Sequence, residues 1–446
     1  MIICKSFFLS LYLMRYSDKM ISIQQAISIV KENTNPLNTS EKKHINNCLG
    51  FTLAEDVFSS INMPPFRQSA MDGYAVKMHE SNTYKIIGEV KAGDGHQPTL
   101  HSGEAVRIFT GAPVPDTANA IIIQEHVTVE KQILRANKPI ALNANIRPLG
   151  EQTKKGDIAL QKGIKLTPAG IGFLTSLGIT EVMINKPLSI ALVVTGNELA
   201  KAGESLEEGQ IYESNAIMLS SALRSLGYMN VEITTVGDDY QSTYNVLKNV
   251  ISNNDMVLVS GGISVGDYDF VGKALLDIGV EQLFYKVKQK PGKPLFFGKK
   301  GNTFVFALPG NPASALSCFY VYVNTALQRL SGNKHFELLK TTAKSTSSFN
   351  KKGDRAQFLK AIYNNDTVEI LEGQNSSMIH TFALANALVS VPENLHEINI
   401  DVTVVVTDVG TNFKTRTFTN TATYTYNQTA NDVNVSLIHL SEPTRQ

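Results

Sequence analysis

Cysteine is scarce in this chain: three residues in 446, Cys4, Cys48 and Cys318, far apart from one another. An odd count with no ligand spacing argues against a disulfide framework and against a paired-cysteine zinc site. It fits a protein kept in a reducing cytoplasm. None of the nine histidines falls in a His-Glu-x-x-His pattern, which removes the helix-borne metalloprotease centre as well. A surplus of one charge is also lacking. Lys and Arg total 41 against 40 Asp and Glu, a net charge of +1, so nucleic acid is not an expected partner and any anion site must be local. Long apolar runs are missing too. The stretch from Ile2 to Met14 is interrupted by Ser10 and precedes no small-residue cleavage site, and it is too short to span a bilayer. Residues 1–19 are expected to be an over-called extension, with Met20 as the natural start.

What is present is the composition of a globular protein, 43% hydrophobic and 18% charged. A chain of this length needs two to four cores. Ile21, Ile23, Ala26, Ile27 and Val30 have helical spacing, and a second helix is expected over Ser40–Leu49 with Ser40 as its cap. From Ala54 to about Asn145 the pattern turns to short β-rich runs (Tyr84–Val90, Ala105–Phe109, Ala120–Val129) broken by glycine turns. Residues 164–179 return to helix, with Thr167-Pro168 opening it and Gly178 closing it. These features predict a helical linker region over residues 20–53 and 146–186 around a β domain at 54–145.

From Leu188 the rhythm is strand and helix in alternation, the pattern of a largely parallel sheet covered by helices. Strands are expected at Leu188–Val194, Val231–Val236, Met256–Val259, Gln282–Val287 and Phe304–Leu308, and helices at Asn215–Leu226, at Ser242–Ile251 and from Pro312 to Leu330. This gives an α/β domain over residues 187–330. Short alternating strands such as Val368–Leu371 and Val402–Val406 predict a smaller C-terminal β domain over 331–410. The Thr- and Asn-rich stretch from Thr411 reads as a loose tail or a gene-model error.

In parallel sheets, ligands bind at the carboxyl ends of the strands, because each strand feeds a loop at that edge. Here all five expected strands run into loops bearing glycine with small polar or charged residues. Ser260-Gly261-Gly262-Ile263-Ser264-Val265-Gly266 and Pro309-Gly310-Asn311-Pro312 let backbone N–H groups approach an anion. Lys286, Lys290 and Lys293 add point charges suited to phosphate or another oxyanion. Glu198, Asp238, Asp239, Asp267 and Asp269 stand near them, a combination that suggests Mg²⁺ held partly by water and substrate oxygens. Taken singly, each piece has a plainer meaning: a turn, a helix start, a solvated edge. Five matching positions favour one site.

Six ordered runs carry a closer resemblance. They are Ser69-Ala70-Met71-Asp72-Gly73-Tyr74-Ala75-Val76, Thr110-Gly111-Ala112-Pro113-Val114-Pro115, Thr195-Gly196-Asn197-Glu198-Leu199, the Ser260–Gly266 run, Lys290-Pro291-Gly292-Lys293-Pro294 and Leu308-Pro309-Gly310-Asn311-Pro312. Over roughly residues 20–410 the chain resembles the molybdopterin molybdenumtransferase family, that is, MoeA and the E domain of gephyrin. The resemblance implies a central α/β domain of molybdopterin-binding type and an elongated homodimer. It further implies that molybdate is inserted into adenylylated molybdopterin with Mg²⁺-dependent release of AMP, giving molybdenum cofactor. Glu198, Asp238 and Asp269 would hold the metal, and Lys286 and Lys290 would hold oxyanions. Substrate contacts would come from Ser260, Gly261, Gly262, Ser264, Gly266, Lys293, Pro309, Gly310, Asn311 and Pro312. Asp72 and Thr110 would face the cleft from a second subunit, and Arg355 and Ser377 match family positions near the molybdate pocket. Where the family often shows Gly-Glu-Asp this chain has Gly150-Glu151-Gln152, a neutral amide in place of an acid. The resemblance itself suggests two rivals, and a nucleotide-binding module of unknown chemistry is the default if the family reading fails. A molybdopterin adenylyltransferase would use the α/β domain without the β-domain motifs, and a gephyrin-type scaffold would call for linkers or partner-binding tails. A partner among the adenylyltransferases is also implied.

Overall fold

A computed structural model of the chain describes residues 20–95, 97–263, 270–401 and 403–408. The expectations placed on Ser264, Gly266, Asp267 and Asp269, and on both ends of the chain, lie outside the described residues.

The first helix among the described residues, Ile23–Asn33, opens with a capping box. Ser22 Oγ accepts from Gln25 N–H at 3.2 Å, and the Gln25 side chain accepts from Ser22 N–H at 2.9 Å. Its buried face, Ala26 and Val30, joins the core of the central sheet. The helix expected over Ser40–Leu49 does not form. Ser40–His44 is a strand, paired antiparallel with Glu181–Asn185, and only Ile45–Asn47 makes a short 3₁₀ turn. Lys and Glu favour helix weakly, whereas a returning strand offers a full hydrogen-bonded ladder. Tertiary pairing overrides the propensity. Ile45, Cys48, Leu53, Leu166, Leu174, Val182 and Ile184 share one small core, so residues from both sides of the β-rich segment pack together. Helix Pro168–Ser176 is capped by Thr167, whose Oγ1 accepts from Gly170 N–H at 3.1 Å.

The β-rich segment builds a six-stranded sheet in the order Ala120–Ile123, Gly73–Val76, Glu104–Ile108, Thr83–Val90, Ile133–Ala136, Val127–Glu130. Apolar residues on its two faces form separate cores. The central sheet also has six strands: Val231–Val236, Ile190–Thr195, Met256–Ser260, Thr303–Leu308, Pro294–Lys300 and Glu281–Lys286. The first four are parallel. Pro294–Lys300 runs antiparallel to both its neighbours, which returns Glu281–Lys286 to the common direction. All five anticipated strands therefore point their carboxyl ends at one edge. Apolar cores cover both faces of this sheet, which explains why strands such as Ile190–Thr195 are buried along their whole length.

After the helical run Pro312–Cys318, Phe319–Val323 and Asn324–Leu330, whose middle segment is a π-helix, the chain makes a last sheet. Its strands Ala356–Asn364, Thr367–Ile370, Lys340–Ser345, Thr403–Asp408 and Ala387–Val391 close into a ring, because the first also pairs with the last. Gln289–Lys290 adds to this ring in parallel with Ala356–Asn364. A loop of the central region is thus tied to the C-terminal sheet. Among the described residues no helix is long and apolar enough to cross a membrane.

Candidate functional site

The carboxyl edge of the central sheet opens into a cleft of about 790 Å³. Its floor is made where three parallel strands end. Thr195 closes the first strand and Ser260 another, and the next delivers Pro309, Gly310, Asn311 and Pro312. Gly261 and Gly262 pass directly over Thr195. Both have left-handed backbones, φ +95° and +61°, and a Cβ on Gly261 would lie 2.6 Å from the Thr195 carbonyl oxygen. The strand ends can approach this closely only because glycine lacks that atom.

Asn215, the first residue of helix Asn215–Ser225, ties the floor together. Its Nδ2 donates to Ser260 Oγ at 2.9 Å and to the Gly310 carbonyl at 2.7 Å. A carbonyl can only accept, so Nδ2 must face Gly310, and Oδ1 is left as the remaining polar atom of the amide. Asn215 Oδ1 and Thr195 Oγ1 are both buried and have no hydrogen-bond partner among the described residues, and both residues line the cleft. Such an atom costs about 1–3 kcal/mol unless something satisfies it. The floor thus holds one acceptor and one hydroxyl that nothing among the described residues satisfies.

The acids divide by role. Glu198 and Asp238 line the cleft. Asp238 Oδ2 accepts from Asn197 N–H at 3.1 Å while Asp238 N–H donates to Asn197 Oδ1 at 3.0 Å, a reciprocal clamp between two strand-end loops. Asp239 instead caps helix Tyr240–Asn253 through Ser242 N–H at 2.8 Å, and that bond holds its carboxyl below the usual range. Glu213 caps Ala216 N–H at 2.8 Å from the cleft wall. Among the described residues no three His, Cys, Asp or Glu side chains come close enough together to hold a metal.

Lys286, Lys290 and Lys293, expected beside the acids, do not line the cleft. The strand Pro294–Lys300 is the reason. It inserts between Thr303–Leu308 and Glu281–Lys286 and moves the lysine-bearing loop one strand away. That loop is held from below by fully buried Gln289, whose Nε2 donates to the Gly292 carbonyl at 3.0 Å and whose Oε1 accepts from Tyr322 at 2.5 Å. Lys286 stacks its ammonium on the Tyr285 ring at 5.5 Å. Arg355 donates to the Gln289 carbonyl at 3.3 Å, so it sits with the lysine loop and apart from the floor. Ser377 does line the cleft, and its neighbour Ser376 accepts from Asn311 Nδ2 at 3.1 Å. Asp72 and Thr110 meet each other on the β sheet, exposed and outside this chain's own cleft. Gln152 is exposed, with its backbone N–H bound to the Met63 carbonyl.

Thr195 and Asn215 line the cleft without having been anticipated as ligand contacts, and Ser376, outside the lining, holds Asn311. Thr195 begins a recognisable Thr-Gly-Asn-Glu run, but Asn215 at a helix start reads as a cap, and Ser376 carries no signal at all.

The fold and its cleft define a multidomain protein built on a parallel α/β ligand-binding domain, with a small β domain before it and a closed β sheet after it. Family models narrow this. The model described as the MoeA N-terminal region (domain I and II) matches residues 21–178, the probable molybdopterin binding domain matches 191–329, and the MoeA C-terminal region (domain IV) matches 342–406. The chain belongs to the molybdopterin molybdenumtransferase (MoeA) family. It is 34% identical over 402 residues to molybdopterin molybdenumtransferase of Haemophilus influenzae, covering 87% of this chain and 98% of that one. Molybdopterin molybdenumtransferase 2 of Mycobacterium tuberculosis is 32% identical over 377 residues, 81% and 93% of the two chains. The crystal structure of the molybdopterin biosynthesis moeA protein of Pyrococcus horikoshii superposes with a TM-score of 0.76 at 27% identity, over 87% of this chain and 100% of that chain.

Proposed function

We propose that this chain is a transferase of molybdenum cofactor biosynthesis that inserts molybdate into adenylylated molybdopterin and releases AMP. The observation that carries this reading is the unsatisfied floor of the cleft. Thr195 Oγ1 and Asn215 Oδ1 are buried, without a partner among the described residues, and adjacent to glycine loops whose backbone N–H groups suit phosphate oxygens. A polar heterocycle with a phosphate tail offers groups for both.

Glu198 and Asp238 fit a hard cation. Mg²⁺ is ordinarily held by one or two carboxylates with water and substrate oxygens making up the rest, and of the three carboxylates lining this cleft Glu213 is taken up by Ala216 N–H, leaving Glu198 and Asp238. When bound, Mg²⁺ would offset negative charge on the phosphate oxygens of the substrate. The chain's own residues do the positioning: the Asn197–Asp238 clamp fixes the two acid loops, and Ser377 closes the side of the cleft next to Asn311. Lys286, Lys290, Lys293 and Arg355 form a basic margin that attracts oxyanions toward it. Electrostatic positioning of this kind supplies most of the acceleration in phosphoryl chemistry.

The active unit in this reading is a cytoplasmic homodimer in which Asp72 and Thr110 complete the cleft of the other subunit, and an adenylyltransferase supplies the substrate. The floor is tested by binding. Replacing both floor atoms, Thr195→Val with Asn215→Leu, is expected to weaken molybdopterin binding at least roughly tenfold, the loss of one or two hydrogen bonds. Unchanged binding in a folded double variant would contradict it.

A further inference from the structure

The closed C-terminal sheet carries a lysine where a core residue belongs. Lys360, in strand Ala356–Asn364, is 3% exposed and forms no ion pair among the described residues. Its ammonium donates instead to three backbone carbonyls of one loop: Gly373 at 2.7 Å, Met378 at 3.1 Å and Asn375 at 3.2 Å. Three donors meet three acceptors, so the group is fully satisfied. The loop answers in kind. Gln374 accepts from Lys360 N–H and donates to the Lys360 carbonyl, both at 2.9 Å. Burying an ammonium without a carboxylate is costly, and burial pushes the Lys360 amine down to about 8.

That loop reaches the cleft at three points. Ser376 Oγ accepts from Asn311, the Ser376 carbonyl accepts from Ala313 N–H at 3.1 Å, and Ser377 lines the wall. The route from the buried ammonium to the Pro309–Pro312 edge is therefore one short loop. Lys351 repeats the arrangement. Also buried, it donates to the carbonyls of Arg355 at 3.2 Å and Glu393 at 2.7 Å, steadying the turn that carries Arg355.

We infer that Lys360 is a positioning residue for oxyanion binding: its ammonium sets the Gly373–Met378 loop, and the loop places Ser376 and Ser377 against the cleft. This rests on the molybdate-insertion reading for the identity of the oxyanion, and on geometry alone for the loop. A hydroxyl held against the strand-end glycines can donate to a tetrahedral oxyanion, and that contact is lost when the loop drifts.

The test uses the full chain and its Lys360→Met variant, with two measurements. In hydrogen exchange, amides of residues 373–378 should exchange roughly tenfold faster in the variant, while those of Ile190–Thr195 keep their protection. In turnover, the molybdate concentration for half-maximal AMP release should rise roughly tenfold with kcat within about twofold, because binding geometry is lost and the floor is intact. Lys360→Arg should recover part of the shift. If Lys360→Met does not fold, Ser376→Ala should show the same rise in the molybdate requirement. Unchanged exchange at residues 373–378, or an unchanged molybdate requirement in a folded variant, overturns the inference. Turnover by the wild-type protein that ignores molybdate overturns the functional reading instead, and the exchange measurement then decides the role of Lys360 by itself.

Discussion

One oxygen of Asp72 accepts two hydrogen bonds from a single residue: Thr110 donates its backbone N–H and its hydroxyl to Oδ1, both at 2.7 Å. The backbone bond first, and the hydroxyl second, hold the Asp72 carboxyl below the usual carboxylate value. A depressed carboxyl contributes stability that is present above its unfolded pKa and lost as pH falls through the folded one. Thr110→Val keeps the backbone donor and removes the other. The Asp72 pKa should therefore rise toward the ordinary value while staying below it, as followed by NMR titration. No movement would mean the hydroxyl bond is not formed in solution.

Asn215 gives a sharper structural test, because its orientation is fixed by a carbonyl. Asn215→Ala leaves Ser260 Oγ and the Gly310 carbonyl without their donor, which should cost about 1–3 kcal/mol in chemical denaturation. Asn215→Asp should be worse than Asn215→Ala, since it sets a carboxylate oxygen against the Gly310 carbonyl in a buried site. Equal stability of the two variants would place the amide elsewhere.

Gly261→Ala probes the close approach of two strand ends. The added Cβ meets the Thr195 carbonyl oxygen at 2.6 Å and the backbone φ is +95°. Left-handed strain and overpacking together should cost about 2–4 kcal/mol of stability. A denaturant midpoint like that of the wild type would show that the loop has room to move.

Much of this was legible in the sequence, and the exceptions have physical causes. Five strand ends with glycine loops were visible because β-rich runs and glycine punctuation are local signals, and the sheet does bring them to one edge. The strand Ser40–His44 was hidden by residues that favour helix when isolated, and only its distant partner Glu181–Asn185 makes it a strand. Pro294–Lys300 opens on a proline and ends on lysines, so its sequence carries no clear strand signal. Missing it put the lysines one strand too close to the acids. Lys360 could not be recognised from its neighbours. A lysine in an alternating strand reads as solvent-facing, and the three carbonyls that bury it lie 13 to 18 residues away.

The proposal that Asp72 completes the cleft of a second subunit has its own test. Chains carrying Asp72→Ala and chains carrying Asp238→Ala should each be nearly inactive alone, and mixed dimers should regain activity, because one cleft in each then has both acids. Absence of any recovery, with mixed dimers shown to form, would place the whole site within one subunit.

Molybdate insertion is read out in AMP release. Purified protein is given adenylylated molybdopterin and Mg²⁺, with and without molybdate, and AMP and pyrophosphate are quantified. AMP release is expected to depend on molybdate, with no pyrophosphate formed. AMP release indifferent to molybdate, or pyrophosphate formed in a parallel reaction given ATP and molybdopterin in place of the adenylylated substrate, would contradict it.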